Sequence, residues 1–142
     1  MKIQKIYIMK FNLPLTHLFI LLFALTISNL AKSQNQCGGY TIKLKDGSIE
    51  KWTGPNRYGT WGRDIVDFDC NDKKIAVVKK DGTIQFCDFV GNVQFSFNPP
   101  SPKPVKIKLL DNSTDNSTST YVITRIDGTM NKYRGSNNMG NF

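Results

Sequence analysis

The segment from Trp52 to Arg63 holds the densest group of side chains in this chain that could bind a ligand. Both tryptophans, one tyrosine and two arginines fall within it. Aromatic planes stack on sugar rings or on apolar protein surfaces, and guanidinium groups pair with carboxylates. We therefore predict a ligand-binding site made by Trp52, Arg57, Tyr58, Trp61 and Arg63. The alternative is that the two tryptophans cap the end of a small core and that the glycines between them serve turns.

The position of histidine argues against catalysis. The chain has one histidine, His17, and it lies in an N-terminal segment with the composition of a signal peptide. Once that segment is cleaved, the protein cannot assemble a Ser-His-Asp or Cys-His apparatus, or a zinc site with a histidine ligand. We expect a protein that is not an enzyme, with no catalytic residues, no metal site and no cofactor.

An acidic cluster at Asp64, Asp67, Asp69, Asn71 and Asp72 offers oxygen ligands. An EF-hand calcium loop counted from Asp67 needs glycine at its sixth position and glutamate at its twelfth, and the chain has neither there. Asp67 and Asp69 would share one face of a strand, which leaves a glycosidase pair open. We favour a third interpretation, an acidic solvent face that nearby lysines balance.

Export is predicted from residues 1–33. Three lysines precede an uninterrupted apolar run from Leu18 to Leu25, and the small-residue pattern Ala31-Lys32-Ser33 follows. This is the order of charged, apolar and cleavage regions in a signal peptide. We predict cleavage near Ser33-Gln34 and an extracytoplasmic protein, secreted or periplasmic. A retained membrane anchor is the alternative, but polar residues and a proline interrupt the stretch of about 20 apolar residues that a span needs.

The remaining chain, residues 34–142, has the length of a single domain. It keeps 15 of the 19 lysines and arginines and all 11 acidic residues, so its net charge is +4, compared with +8 for the whole chain. A charge of this size, spread along the sequence, favours solubility and a weak attraction to anionic surfaces. Together with export, it argues against nucleic acid as a partner. Peripheral association with the cell envelope and homo-oligomerisation both stay open.

Three hairpins are predicted, with turns at Asp46-Gly47, Asp81-Gly82 and Asp127-Gly128. Runs rich in β-branched and aromatic residues flank each Asp-Gly pair, and the pair supplies the positive φ angles that a two-residue type I′ turn requires. Counting outward from each turn gives the strand pairing. In the first hairpin, Lys43 and Glu50 then oppose each other on the more polar face.

The middle hairpin extends to a four-stranded meander. A two-residue turn at Asp81-Gly82 sets Lys79 opposite Ile84, and a second turn at Gly91-Asn92 adds the fourth strand. In this register one face of the sheet is almost wholly apolar and the other is mixed. A slip of one residue would exchange the faces.

The same register predicts how the three cysteines behave. A four-residue loop after Cys70 sets it opposite Ile75, and Cys70 and Cys87 then fall on opposite faces and should not pair. A disulfide, which export would favour, therefore uses Cys37. The alternative is that all three thiols are small apolar packing residues.

Two segments lie outside the hairpins. Residues 98–104 are rich in proline and are predicted to form a stiff, extended connector, and residues 135–142 are predicted to be a loose tail. The predicted fold class is all-β, an antiparallel meander of hairpins that forms a small sandwich or a partly closed barrel.

The Asp-Gly turns lie 35 and 46 residues apart, a spacing that resembles the repeat of β-propeller blades. The resemblance covers most of residues 34–142 and implies blade-like units. Because a ring usually takes four to eight blades, three such units could complete one only by oligomerisation. This arrangement is the alternative to the sandwich or barrel.

These observations predict a secreted or periplasmic, non-catalytic binding module that contacts a glycan or a protein through residues 52–63. The alternative function is a structural subunit of a cell-envelope assembly, in which the aromatic segment and the sheet edges are protein interfaces. A glycosidase that uses Asp67 and Asp69 is the least favoured of the three hypotheses.

Overall fold

The structure is a computed structural model that describes residues 34–142, and the predicted signal peptide lies outside these residues. The described chain contains twelve β-strands, and within it there is no helix long and apolar enough to span a membrane. The strands are β1 (Gln34–Cys37), β2 (Tyr40–Lys45), β3 (Ser48–Thr53), β4 (Asn56–Trp61), β5 (Ile65–Cys70), β6 (Ile75–Lys79), β7 (Ile84–Cys87), β8 (Val93–Phe97), β9 (Pro104–Leu109), β10 (Thr120–Arg125), β11 (Met130–Arg134) and β12 (Asn137–Asn141).

The twelve strands form three antiparallel sheets of four strands each. The first sheet has the order β1-β2-β3-β4, the second β5-β6-β7-β8 and the third β9-β10-β11-β12. Each sheet is therefore a meander of consecutive hairpins, and the predicted all-β class is confirmed. The sheets pack on one another as layers and do not close into a barrel.

The second sheet is the middle layer, and it is buried on both of its faces. The first interface, between the first and second sheets, is formed by Cys37, Ile42, Ile49, Ile65, Phe68, Ile75 and Val77. The second interface, between the second and third sheets, is formed by Ala76, Val78, Ile84, Phe86, Ile107, Leu109, Tyr121, Ile123 and Tyr133. The prediction of one apolar and one mixed face was wrong, and the unbroken apolar run from Ile75 to Val78 is typical of a strand covered on both sides.

The first Asp-Gly turn has the predicted two-residue form. Lys45 pairs with Ser48, and φ is 50° at Asp46 and 74° at Gly47. Positive φ at both central residues is the requirement of a type I′ turn.

The second Asp-Gly turn closes a longer loop, so the predicted register was wrong by one residue. The N–H of Gly82 donates to the carbonyl of Lys79 at 2.8 Å, and the N–H of Lys79 donates to the carbonyl of Thr83 at 2.8 Å. This is a type I turn followed by a left-handed glycine. The Asp81 carboxylate also accepts the N–H of Thr83 at 2.9 Å, which stabilises this loop. As a result Val78 lies opposite Ile84.

The other predicted turns in the second and third sheets differ in the same way. At Asp127-Gly128 the aspartate accepts the N–H of Thr129 at 3.0 Å, as in the second turn. At the predicted Gly91-Asn92 turn, the Asp88 carboxylate accepts the N–H of Asn92 at 2.9 Å and holds a longer loop. In each case an aspartate side chain adds a hydrogen bond that a two-residue turn would not make.

The corrected register changes the placement of the cysteines. Cys70 pairs with Ile75 as predicted, and Ile75 pairs with Cys87 on its other side. Cys70 and Cys87 therefore share a face, contrary to the prediction, but they are two strand spacings apart, about 10 Å. The structure contains a Cys37–Cys70 disulfide with a Cα–Cα distance of 5.9 Å, so the prediction that a bridge uses Cys37 is confirmed. Cys87 is a free, buried thiol.

The proline-rich connector precedes β9, and its carbonyls are anchored by a buried arginine. The Arg125 guanidinium donates to the carbonyls of Pro100 and Pro102. The predicted loose tail is wrong in part, because β12 pairs with β11. All five residues of β12 are exposed. This edge strand therefore needs no alternation of apolar and polar residues, and the sequence shows no strand pattern there.

Candidate functional site

The predicted site folds as the hairpin of β3 and β4. Thr53 pairs with Asn56 across a two-residue turn that contains Gly54, at φ 54°. The pairing then skips Tyr58, because Trp52 opposes Arg57 while the preceding residue of β3 opposes Gly59. Tyr58 is thus the extra residue of a β-bulge, and its side chain is 65% exposed. Bulges re-aim side chains and are frequent near functional sites.

Trp52 and Arg57 converge on the carboxylate of Glu50 at the outer face of the first sheet. The indole Nε1–H of Trp52 donates to Glu50 Oε2 at 3.0 Å, and Arg57 Nη1 donates to Glu50 Oε1 at 3.3 Å. Lys43, the cross-strand partner of Glu50, places its ammonium group 4.5 Å from the centre of the Trp52 ring. We call Lys43, Glu50, Trp52 and Arg57 the Trp52 cluster.

The Glu50 carboxylate is almost fully covered, with 7% of its side chain exposed, whereas the side chain of Arg57 is 56% exposed. Burial alone would raise the pKa of Glu50. The hydrogen bonds from Trp52 and Arg57, with the charge of Lys45, outweigh burial and hold that pKa below its usual range. Glu50 therefore stays ionised and fixes the orientation of both partners.

Trp61 lies on the opposite face of the same hairpin. It packs against the first interface and covers Gly91, where an added Cβ would lie 2.6 Å from the indole ring. Its Nε1–H is buried and has no hydrogen-bond partner within the described chain. Arg63 follows β4, is exposed, and lines a cavity of about 50 Å³ beside Trp61.

The five predicted residues therefore divide into two groups. Trp52 and Arg57 act together, with Tyr58 in the adjoining bulge. Trp61 packs on the core, as the structural alternative proposed, and Arg63 lies beside it. The site prediction omitted Lys43 and Glu50, although the first hairpin already set these two residues opposite each other. Strand alternation could have placed Glu50 in the predicted site, because Glu50 and Trp52 are two residues apart and share a face. Lys43 would then follow as the cross-strand partner of Glu50.

The acidic cluster is structural. Asp67 accepts the backbone N–H of Ile107 at 2.8 Å, and Asp69 accepts that of Leu109 at 2.8 Å. Asp69 also accepts a hydrogen bond from Asn35 at 3.2 Å, so one carboxylate joins strands of all three sheets. The prediction of an acidic solvent face is therefore wrong for Asp69, which is buried. Its carboxylate accepts an N–H group of β9, the edge strand of the third sheet, which has no partner strand on that side.

Two further members of the acidic cluster, Asn71 and Asp72, stabilise loops. The side-chain oxygen of Asn71 accepts the N–H of Lys74 at 3.0 Å, and Asp72 accepts the N–H of Gly38 at 3.1 Å. Within residues 34–142 no group of three or more histidine, cysteine, aspartate or glutamate side chains is arranged to hold a metal ion.

Comparison with known proteins gives a fold relationship. No family model matches the chain, and no curated protein matches it. Among solved structures, BBS1N in its complex with ARL6DN, from a mercury-soaked crystal, aligns with a TM-score of 0.54 and 12% identity over 71% of this chain and 34% of that one. A complex from S. cerevisiae, a Dbp5 variant with Nup159, a Gle1 variant, IP6 and ADP, aligns with a TM-score of 0.50 and 16% identity over 72% of this chain and 36% of the other.

The chain thus spans about a third of the length of either structure. At these identities the similarity establishes the fold alone and carries no information about ligands.

Proposed function

We propose that this chain is an exported, non-catalytic module that binds a protein partner through the outer face of its first sheet. The observation that carries the proposal is the Trp52 cluster. In this cluster a buried carboxylate orients an indole and a half-exposed guanidinium, on a face that no other sheet of residues 34–142 covers. Tryptophan, tyrosine and arginine are the residues most enriched at the energetic centres of protein interfaces.

The geometry favours a protein over a glycan. A sugar-binding platform needs a free aromatic face and free polar groups around it. Here the indole N–H is already bonded to Glu50, and the Lys43 ammonium approaches the ring at 4.5 Å. A partner protein requires only that the oriented groups be covered, and exclusion of water would strengthen the pair of Arg57 and Glu50.

The test compares binding by the full-length chain and by its Trp52→Ala variant. Each tagged protein is returned to the envelope fraction of its source organism, and the captured proteins are identified and quantified by mass spectrometry. We expect one protein or a small set to be captured by the wild type and reduced about thirtyfold with Trp52→Ala, the effect of losing an interface centre of about 2 kcal/mol.

Val90→Ala is the matched control, because Val90 is an apolar residue that is 67% exposed in a loop of the second sheet. It should capture the partner as the wild type does. Circular dichroism checks that Trp52→Ala is folded, and Arg57→Gln provides a second, more conservative variant of the cluster. Equal capture by all variants would contradict the site.

A glycan array with the same proteins tests the other ligand class. Trp52-dependent binding to a glycan, with no captured protein, would overturn the choice of partner and keep the surface. The structural-subunit alternative predicts that the full-length chain is an obligate oligomer, which light scattering after size exclusion detects. A stable monomer would count against it.

A further inference from the structure

The third sheet concentrates positive charge that the sequence distributes along the chain. Its four strands contain no aspartate or glutamate and five basic residues. One of these, Arg125, is buried. The other four are Lys106, Lys108, Lys132 and Arg134. Each is next in sequence to a residue that points into the second interface, Ile107, Leu109 or Tyr133. Strand alternation therefore directs them to the outer face of the sheet.

A concavity of about 390 Å³ lies at one end of this face, and Lys132 and Arg134 line it together with Thr118 and Thr120. Its wall is the loop 111–119. Asp111 holds the loop by accepting the N–H of Thr120 at 2.6 Å.

Neither cation in the concavity forms an ion pair within residues 34–142. The ion pairs of the described chain join Arg57 to Glu50 and Lys108 to Asp69, so none involves Lys132 or Arg134. Asp111 is the acidic residue in the lining, and both of its oxygens accept backbone N–H groups. Asp111 thus bonds to the loop backbone, and the lining carries two basic side chains and one acidic side chain.

A second copy of this chain is a poor occupant of the face. If copies stacked sheet on sheet, the outer face of the third sheet would meet that of the first, which carries Lys43, Lys45 and Arg57 against Glu50. Both faces have an excess of positive charge and would repel each other. The complementary occupant is an anion.

We propose that the outer face of the third sheet binds an acidic polysaccharide, with one carboxylate or sulfate group of the polymer seated between Lys132 and Arg134. Protein interfaces are depleted in lysine and are centred on apolar anchors. Here the outward residue at the middle of the face is Val122, which lies between Lys108 and Lys132 and is buried, so the face offers no exposed apolar anchor there. Hydroxyl groups line the concavity, and these suit a hydrated, hydroxyl-rich polymer. This surface lies on a different sheet from the Trp52 cluster, so either proposal can fail without the other.

The test measures binding of the full-length chain to heparin, a sulfated polysaccharide, and to alginate, a carboxylated one, by isothermal titration calorimetry. Neutral dextran is the uncharged control. We expect both polyanions to bind, more weakly as salt is added because exposed charges are screened, and dextran not to bind. The double variant Lys132→Gln/Arg134→Gln should lose about tenfold or more in affinity, as expected for two charge-assisted contacts.

The matched control is Lys73→Gln/Lys80→Gln, which removes the same charge from two exposed lysines of the second sheet's loops. It should change the affinity by less than about threefold, the effect of net charge alone. Equal losses in the two double variants would overturn the site. Binding of the wild type to anionic phospholipid vesicles but to neither polysaccharide would overturn the ligand class, as would binding only to an acidic peptide.

Discussion

Asp67 and Asp69 extend from the edge of the second sheet to the backbone of β9, where their oxygens accept N–H groups at 2.8 Å. These carboxylates therefore complete the hydrogen bonding of a strand in the next sheet. The spacing of two residues that would suit a pair of catalytic acids also matches the alternate N–H groups of an extended strand.

We predict that Asp67→Asn and Asp67→Ala have opposite consequences. Burial raises the pKa of Asp67, and the N–H of Ile107 and the charge of Lys106 offset this only in part. Asparagine keeps an acceptor for Ile107 and removes the buried charge, so Asp67→Asn should be at least as stable as the wild type at pH 7. Alanine leaves the N–H without its acceptor and should cost about 1–3 kcal/mol. Urea denaturation measures both.

The sign of the pH dependence follows from the raised pKa. The folded protein holds the Asp67 proton more tightly than the unfolded chain does. The contribution of Asp67 to the free energy of unfolding therefore falls as the pH rises from about 3, through the ordinary aspartate pKa of about 3.9, to the raised pKa of Asp67 in the folded protein. The stability of Asp67→Asn relative to the wild type should therefore increase over that range. A relative stability that does not vary with pH would contradict the burial of a charged Asp67.

The sequence could predict which residues were candidates for the site but not which of them would meet. Trp52 and Trp61 have the same local composition, and one lies on the outer face while the other packs on Gly91. Their separation of nine residues includes a turn and a bulge. The turn and the bulge each shift the alternation of faces along the chain by one residue, so the face of Trp61 depends on both. The residue pattern alone does not locate the bulge.

At the scale of the hairpin, the positions of the three Asp-Gly turns were predictable and the lengths of two of them were not. In the first turn serine follows the glycine, and the turn has two residues. In the other two threonine follows, and an aspartate oxygen accepts the threonine N–H. One extra hydrogen bond thus shifts the register by a residue. Because Ile75–Val78 is apolar on both faces, the shift leaves a sheet that can still be buried.

The two loops that flank β11 provide a prediction about glycine, with Gly128 before the strand and Gly135 after it. Gly135 has φ 57°, and a Cβ there would lie 2.0 Å from the carbonyl oxygen of Ser117. Gly128 has φ 85°, and its Cβ would meet nothing within 4 Å. Both alanine variants carry the strain of a left-handed residue, about 1–2 kcal/mol. Gly135→Ala must also displace the loop 111–119.

Gly135→Ala should therefore lower the free energy of unfolding by at least about 2 kcal/mol more than Gly128→Ala, within the range of overpacking effects. Thermal or urea unfolding of the two variants tests this difference. Equal losses of stability in the two variants would mean that the loop 111–119 moves freely to make room for the added methyl group. That loop could then not form a rigid wall of the concavity on the third sheet.

At the scale of the whole molecule, the three layers are joined by different means. A disulfide between β1 and β5 links the first and second sheets. The second and third sheets are held by the apolar second interface and by the aspartate contacts to β9.

The disulfide should make a large contribution to stability. It closes a sequence separation of 33 residues, for which the chain-entropy relation gives about 3–4 kcal/mol. We expect Cys37→Ala/Cys70→Ala to lose stability of that order in urea. Adding dithiothreitol should destabilise the wild type similarly and leave the double variant unaffected. A reductant effect of the same size in both proteins would show that the cross-link is not its cause.

The position of this cross-link also determines how the fold would respond to tension between its two ends. A pull applied at Gln34 would pass along β1 through the Cys37–Cys70 bond directly into β5. The residues between the two cysteines, which include the whole Trp52 cluster, would carry little of the load. Within the described chain no disulfide joins the third sheet to its neighbour, so the third sheet would extend first, beginning with the edge strand β12. Under such a pull the first sheet would thus stay folded while the third sheet yields.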